Sequence, residues 1–224
     1  YTWADITMQG SNVRFVSTHL ESLWDGNKVP KAADQARQLV ADLTNTKSPI
    51  VVIGDFNSDP RDPRAKGFAN PGEQPEASEK CPTESSLCNA YKVMREANFI
   101  DAGPDASDPA TFTWGMNALL TGADPARRAA AKEMGNDFGF TDRLDYIFVK
   151  NGIKVLTSKI IGQTAPYGTD HAGVVTQLNV TALGSVVSAP LDAHQRFPIS
   201  FWKGVGLLLL ALITWRIVRR FRRR

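Results

Sequence analysis

The sequence predicts an α/β domain built as an α/β sandwich, because apolar strand candidates alternate with amphipathic helix candidates along the chain. The clearest strand candidate, residues 49–53, is rich in β-branched residues and ends at the polar segment Gly54–Asn57. The clearest helix candidate, residues 31–43, repeats small and apolar side chains on one face. With 224 residues, 42% of them hydrophobic, the chain can bury a core. We therefore expect one domain over residues 1–182 and a different kind of segment after it.

The remaining elements follow from the same two periodicities. Runs of apolar and β-branched residues predict further strands over residues 13–19, 143–149 and 172–178. Small and apolar residues at helical spacing predict helices over residues 86–97 and 125–134. Strands and helices therefore alternate through most of the domain, as an α/β fold requires.

Two insertions separate these elements. Residues 59–82 are rich in Pro, Gly, Glu and Lys, so we expect a long surface loop there, and residues 115–140 form a second insertion. Between them, Phe112–Trp114 is expected to be core or pocket wall. Cys81 and Cys88 could close a small disulfide in an oxidising compartment or remain two reduced thiols.

Polar side chains interrupt the apolar runs close to the strand ends. His19 ends the strand at residues 13–19, and alternation makes Asp55 and Asn57 point the same way while Phe56 turns into the core. Carboxylates, carboxamides and imidazoles gathered at strand ends are the groups that bind a hard cation and activate water. The polar residues at these positions are His19, Asp55, Asn57, Asp145, Asp170 and His171.

Four motifs in order resemble those of the endonuclease/exonuclease/phosphatase superfamily. They are Thr18–Ser22, Gly54–Asn57, Asp142–Tyr146 and Asp170–His171. The resemblance covers roughly residues 13–180 and implies an α/β sandwich and a phosphoesterase that depends on a divalent metal.

The resemblance also shows what is missing. Members of the superfamily carry an asparagine and then a glutamate upstream of the histidine strand, and both bind the metal. Only residues 1–12 precede that strand here, so neither ligand can be assigned, and Glu21 belongs to the histidine motif. We expect this sequence to be the later part of a longer domain.

The resemblance and the residue types together predict a role for each polar side chain. Asp55 would orient or deprotonate the attacking water, and Asn57 would hold that water or a phosphoryl oxygen. Asp145 would orient His171, which would serve as a general base or as a phosphate contact. His19 would donate to a non-bridging oxygen. The predicted metal ligands, for Mg²⁺ or Mn²⁺, are Asp55, Asn57 and Asp170.

Each role has a structural alternative. Asp55–Asn57 could merely cap a turn after the strand. Asp145 could be a buried acid paired with Arg143 or Arg127. His19 could be a core histidine whose hydrogen bonds are satisfied.

The C-terminal part differs in composition from the domain. We predict a linker over residues 183–196, a transmembrane helix over 197–218 and an arginine-rich cytoplasmic tail over 219–224. The uncharged run of 12 residues between Lys203 and Arg216 is shorter than the roughly 20 residues of a spanning helix. If both flanking cations snorkel to the interfaces, the segment becomes long enough. An interfacial amphipathic helix is the alternative.

Charge limits the choice of partners. The chain has 26 basic and 23 acidic residues, but the segment from residue 201 onward holds seven of the basic ones and no acid. The remainder has 19 basic and 23 acidic residues, a net charge of −4. This net negative charge does not indicate a nucleic-acid binder, which needs basic residues to contact phosphates. By the positive-inside rule the arginines stay cytoplasmic and the catalytic domain lies outside the cytoplasm.

These observations predict a single-pass, membrane-anchored phosphoesterase. Its substrate would be a lipid headgroup, a small phosphoester or nucleic acid, and no obligate protein partner is expected. Two alternatives remain. One is an exported endonuclease or exonuclease acting on DNA, and the other is a catalytically silent binding domain of the same fold.

Overall fold

Two sheets carry the described part of the chain. In this computed structural model, the first sheet is mixed and has the strand order β1-β2-β3-β5-β4, and the second pairs β6 with β7. The strands are β1 (Thr2–Met8), β2 (Ser11–His19), β3 (Ile50–Asp55), β4 (Ile100–Asp101), β5 (Asp145–Lys150), β6 (Lys154–Ile161) and β7 (Gly173–Asn179). The structure describes residues 1–8, 10–22, 30–64, 77–83, 85–115 and 121–180.

Three α-helices accompany the sheets within these ranges, namely α1 (Lys31–Leu43), α2 (Ala90–Glu96) and α3 (Pro125–Glu133). The prediction over residues 31–43 is confirmed, and α3 is one residue shorter than predicted. The single helix predicted over residues 86–97 is wrong. Asn89 is extended and separates a 3₁₀ turn from α2, where its side chain accepts the N–H of Lys92 as an N-cap.

Alternation along the central strands divides the core into two layers. Val16, Val52 and Phe148 face one side of the first sheet, where α1 and α2 cover them. Val51 and Val149 face the other side, where the partly buried end of β7 packs against them. The first sheet therefore lies between helices and the second sheet, which is the α/β sandwich that the sequence predicts.

The insertion at residues 59–82 differs from the surface loop that its composition predicts. Asp59, Asp62 and Arg64 are buried, so the surface-loop prediction is wrong for residues 59–64. Opposite charges close together permit this burial, because each carboxylate lies near a guanidinium. Cys81 and Cys88 form a disulfide.

The predicted C-terminal elements lie outside the described residues. This applies to the linker at 183–196, the transmembrane helix at 197–218 and the tail at 219–224. Among the helices that the structure does describe, none combines the length and the apolar character needed to cross a bilayer.

Candidate active site

Three of the predicted residues form one row across the first sheet. His19 is the partner of Asp55 in the parallel ladder between β2 and β3, and Asp55 is the partner of Asp145 in the antiparallel ladder between β3 and β5. Directly paired residues project from the same face of a sheet, with Cβ atoms roughly 5 Å apart. Since β2 and β3 end where β5 begins, their polar ends meet at one edge.

Asp55 is the centre of this row. Its Oδ2 lies 3.5 Å from Nε2 of His19 and 3.9 Å from Nε2 of His171, and its side chain is only 15% exposed. Burial and, to a lesser extent, the neighbouring charge of Asp145 together raise the pKa of Asp55 to about 6, against the opposing effects of Asn57 and the two histidines. Two opposed carboxylates therefore favour a proton or a cation between them.

Asn57 is held beside Asp55 by its own backbone. Its N–H donates to Oδ1 of Asp55 (2.8 Å), and its Nδ2 donates to the carbonyl of Leu20 (2.7 Å). Asn57 has φ of 45°, in the left-handed region that asparagine tolerates better than most residues. Phe56 is fully buried between the two polar residues, as alternation predicts. The turn after β3 thus ties the backbone of Asn57 to the carboxylate of Asp55 and the carboxamide of Asn57 to the end of β2.

His171 lies two residues before β7, a strand of the second sheet. Its Nδ1 lies 2.8 Å from Oδ2 of Asp145. Burial lowers the pKa of His171, but the hydrogen bond and charge of Asp145, together with the charges of Asp55 and Asp170, outweigh burial, and the pKa is raised. His171 therefore holds its proton more tightly than an ordinary histidine, and Asp145 fixes the orientation of its ring.

The structure argues against the alternative partners of Asp145. Arg143 donates through Nε to the backbone carbonyl of Asp145, while its guanidinium lies 3.9 Å from the carboxylate of Asp101. Arg127 stacks over the ring of Trp114. The carboxylate of Asp145 therefore serves the imidazole and not a structural ion pair.

The two remaining predicted residues lie at the rim. The side chain of His19 is 74% exposed, so His19 is not a core histidine. Asp170 is half-buried and accepts a hydrogen bond from the hydroxyl of Thr169. It contributes to the electrostatic field at His171 without joining the row formed by His19, Asp55 and Asp145.

Within the described residues, one group of side chains could hold a metal ion. Asp55, Asp145 and His171 each offer a ligand atom, and these atoms lie within 4.8 Å of one another. Carboxylate oxygens suit Mg²⁺ and Mn²⁺, and the two carboxylates of Asp55 and Asp145 stand opposite each other across the paired strands. The residues thus fit a divalent cation. Of the predicted acidic ligands, Asp55 belongs to this group and Asp170 does not.

A buried ionic cluster behind the site was not predicted. Asp59 accepts hydrogen bonds from the side chain of Arg61 and from the backbone N–H of Arg143, and Arg64 pairs with Asp142. These contacts join the turn that follows Asn57 to the segment that precedes Asp145. The alternation of acid and arginine along Asp59-Pro60-Arg61-Asp62-Pro63-Arg64 is the signal that could have indicated the cluster.

Residues 5–171 match the Endonuclease/Exonuclease/phosphatase family, which is about three quarters of the chain. The chain belongs to this family. No curated protein matches it. Members of the family hydrolyse phosphoester bonds, generally with a divalent metal.

Several solved structures resemble this family member in fold. An AP endonuclease from Archaeoglobus fulgidus has 16% identity and a TM-score of 0.47, with coverage of 77% of this chain and 63% of that one. A family protein from Leptotrichia buccalis has 20% identity and a TM-score of 0.44, with coverage of 78% and 52%. A mannosyl-6-phosphatase from Bacteroides thetaiotaomicron has 13% identity and a TM-score of 0.42, with coverage of 76% and 52%. The chain thus spans between 52% and 63% of the length of these structures.

Proposed function

We propose that this chain belongs to a membrane-anchored, metal-dependent phosphoesterase in which water attacks the phosphorus directly. The observation that carries the proposal is the row of His19, Asp55 and Asp145, with His171 hydrogen-bonded to its end. A site that only binds a ligand does not need an imidazole whose orientation is fixed by one carboxylate beside a second, largely buried carboxylate.

The side chains divide the reaction between them. Asp55, in its ionised form, accepts a proton from the attacking water. The water oxygen bonds to phosphorus, the ester P–O bond breaks, and the leaving oxygen takes a proton from solvent. The raised pKa of His171 favours a protonated ring, which would donate a hydrogen bond to a phosphoryl oxygen, and exposed His19 would reach a second one.

Asp55 and Asn57 would hold the cation, and Asp145 would keep His171 oriented beside Asp55. A divalent cation supplies positive charge to the phosphoryl oxygens and to the leaving oxygen. The direct opposition of Asp55 and Asp145 supports this assignment, because a cation would relieve the repulsion between the two carboxylates. Asp170 is proposed to act on the site through its charge rather than as a direct ligand.

The membrane anchor rests on the sequence of residues 197–218. Their apolar centre is followed by an arginine cluster, which by the positive-inside rule places the catalytic domain outside the cytoplasm. An anchored active site favours a lipid headgroup or another phosphoester near the bilayer. The net negative charge before residue 201 gives no comparable support for a DNA substrate.

The first experiment compares three substrates with the full chain. Bis(p-nitrophenyl) phosphate, plasmid DNA and sphingomyelin vesicles are incubated with Mg²⁺ or with EDTA. Asp55→Ala and His171→Ala should each lose at least about 100-fold in kcat. Asp105→Ala, which removes an exposed acid of the same domain, is the matched control and should keep wild-type turnover.

The outcomes separate the candidate functions. Preferred turnover of sphingomyelin supports the lipid substrate, and preferred turnover of plasmid supports the exported nuclease. A folded chain that binds Mg²⁺ but turns over none of the three, nor a phosphomonoester such as p-nitrophenyl phosphate, supports the silent binding domain. Deleting residues 197–224 should release the protein from membranes, and a truncated protein that still sediments with vesicles contradicts the anchor.

A further inference from the structure

We propose that Thr113 is a positioning residue that holds Asp145 against His171. The inference rests on the proposed function only in that Asp145 and His171 are taken to act in hydrolysis. Thr113 is fully buried, and its neighbours in sequence, Phe112 and Trp114, are aromatic. Its hydrogen bonds reach backbone groups, including the N–H of Asp145, rather than the polar side chains of the site, so its effect passes through the backbone.

The hydroxyl of Thr113 serves the strand that carries Asp145. Its Oγ1 accepts the backbone N–H of Leu144 (3.1 Å) and that of Asp145 itself (3.2 Å). Asp145 is the first residue of β5. The carbonyl of Leu144, the residue before it, accepts the N–H of Phe56. One side-chain oxygen therefore satisfies two N–H groups at the start of the strand.

The backbone of Thr113 serves the segment that carries His171. Its carbonyl accepts the N–H of Ala172 (2.6 Å), the residue directly after His171. Its own N–H donates to the carbonyl of Asp142 (2.8 Å). A single residue thus joins β5 of the first sheet to the entry of β7 in the second, and the bond from Asp145 to His171 crosses the same junction.

Burial makes this arrangement hard to replace. Thr113, Leu144 and Ala172 are all buried, so water cannot take over a lost acceptor without rearrangement. Replacing the hydroxyl by a methyl group would orphan two N–H groups and let the start of β5 move. A displacement of about 1 Å at a reacting group can cost on the order of 100-fold in rate.

The test compares four variants in the full chain. Thr113→Val keeps the volume and removes the acceptor, Thr113→Cys replaces it with a weak one, and Thr113→Ser keeps it. Thr111→Val is the matched control, because the Thr111 hydroxyl is also buried in the same segment but donates to the carbonyls of Asp105 and Asp108. Steady-state kcat and KM are measured with whichever substrate the wild type hydrolyses.

We expect Thr113→Val to lower kcat about 100-fold with KM within about twofold, and Thr113→Cys to fall between it and the wild type. Thr113→Ser and Thr111→Val should stay within about threefold of the wild type. Equal losses in Thr113→Val and Thr111→Val would reduce Thr113 to a structural residue. If Thr113→Val does not fold, kcat of Thr113→Cys is compared with kcat of Thr113→Ser. Equal kcat in these two variants overturns the proposal.

A second readout needs no turnover. The ring N–H of His171 that bonds to Asp145 should give a downfield proton resonance in metal-free protein. This signal should be lost or shifted upfield in Thr113→Val and kept in Thr113→Ser and Thr111→Val. Its persistence in folded Thr113→Val overturns the positioning role. If the wild type hydrolyses nothing, the proposed function fails while this spectrum still decides the role of Thr113.

Discussion

Replacing Asp55 by asparagine should make the protein more stable at neutral pH while it removes activity. In the folded chain the pKa of Asp55 is about 6, against the ordinary 3.8. A pKa raised by folding means that the folded state favours the protonated acid. Protonated Asp55 therefore gives the fold its full stability below pH 4. This stability is lost as pH rises through 6 and the acid ionises.

The magnitude follows from the two pKa values. They differ by about 2 pKa units, and each corresponds to 1.36 kcal/mol, so ionised Asp55 costs about 3 kcal/mol above pH 6. Asparagine cannot ionise, and its Oδ1 can still accept the N–H of Asn57. Compared with the wild type, the free energy of unfolding of Asp55→Asn should be higher by up to this amount at pH 7.5 and equal at pH 4.

Urea unfolding in EDTA at several values between pH 4 and 7.5 measures this difference. Asp105→Asn is a control of opposite sign. Hydrogen bonds from the backbone and hydroxyl of Ser107 lower the pKa of Asp105, so that variant should lose stability at pH 7.5. An Asp55→Asn variant that is no more stable at pH 7.5 than at pH 4, relative to the wild type, would refute the reasoning.

Three further predictions concern single side chains. Asp145→Asn should lower the pKa of His171, because the hydrogen bond and charge that raise it are lost; an unchanged histidine titration by NMR contradicts this. His19→Ala should lower kcat/KM while the free energy of unfolding changes by less than about 0.5 kcal/mol, since the side chain is exposed; wild-type kcat/KM would remove His19 from the site. Asp59→Asn should destabilise the fold by about 1–3 kcal/mol, because it removes the charge that accepts the hydrogen bonds of Arg61 while Asp142 stays 3.9 Å away; an unchanged free energy of unfolding in urea contradicts this.

The elements that the sequence predicts best are those that bury a complete face. α1 repeats small and apolar residues at helical spacing, and the apolar start of β3 is buried, so periodicity and composition both point to them. β1 and β6 were missed because most or all of their residues are exposed. Their sequences therefore lack the strong apolar pattern from which a strand is inferred.

The site could be predicted by residue type but not by geometry. Family motifs drew attention to Asp55, Asp145 and His171, yet only the strand register shows that the two acids stand directly opposite each other. The role of Thr113 could not be predicted from the sequence, because a threonine between two aromatic residues is typical of a buried core segment. Its function depends on the N–H groups of Leu144 and Asp145, 31 and 32 residues away in sequence, which no local pattern reveals.

The opposition of Asp55 and Asp145 also affects how the chain folds. The two residues are about 90 positions apart, so their repulsion is absent from the unfolded chain and arises only when β3 and β5 pair. Long-range antiparallel pairing is a slow class of folding event, and here it must close against like charges. A divalent cation or mildly acidic pH should therefore speed refolding as well as stabilise the product, and the recovery of activity would report the closure of this one strand pair.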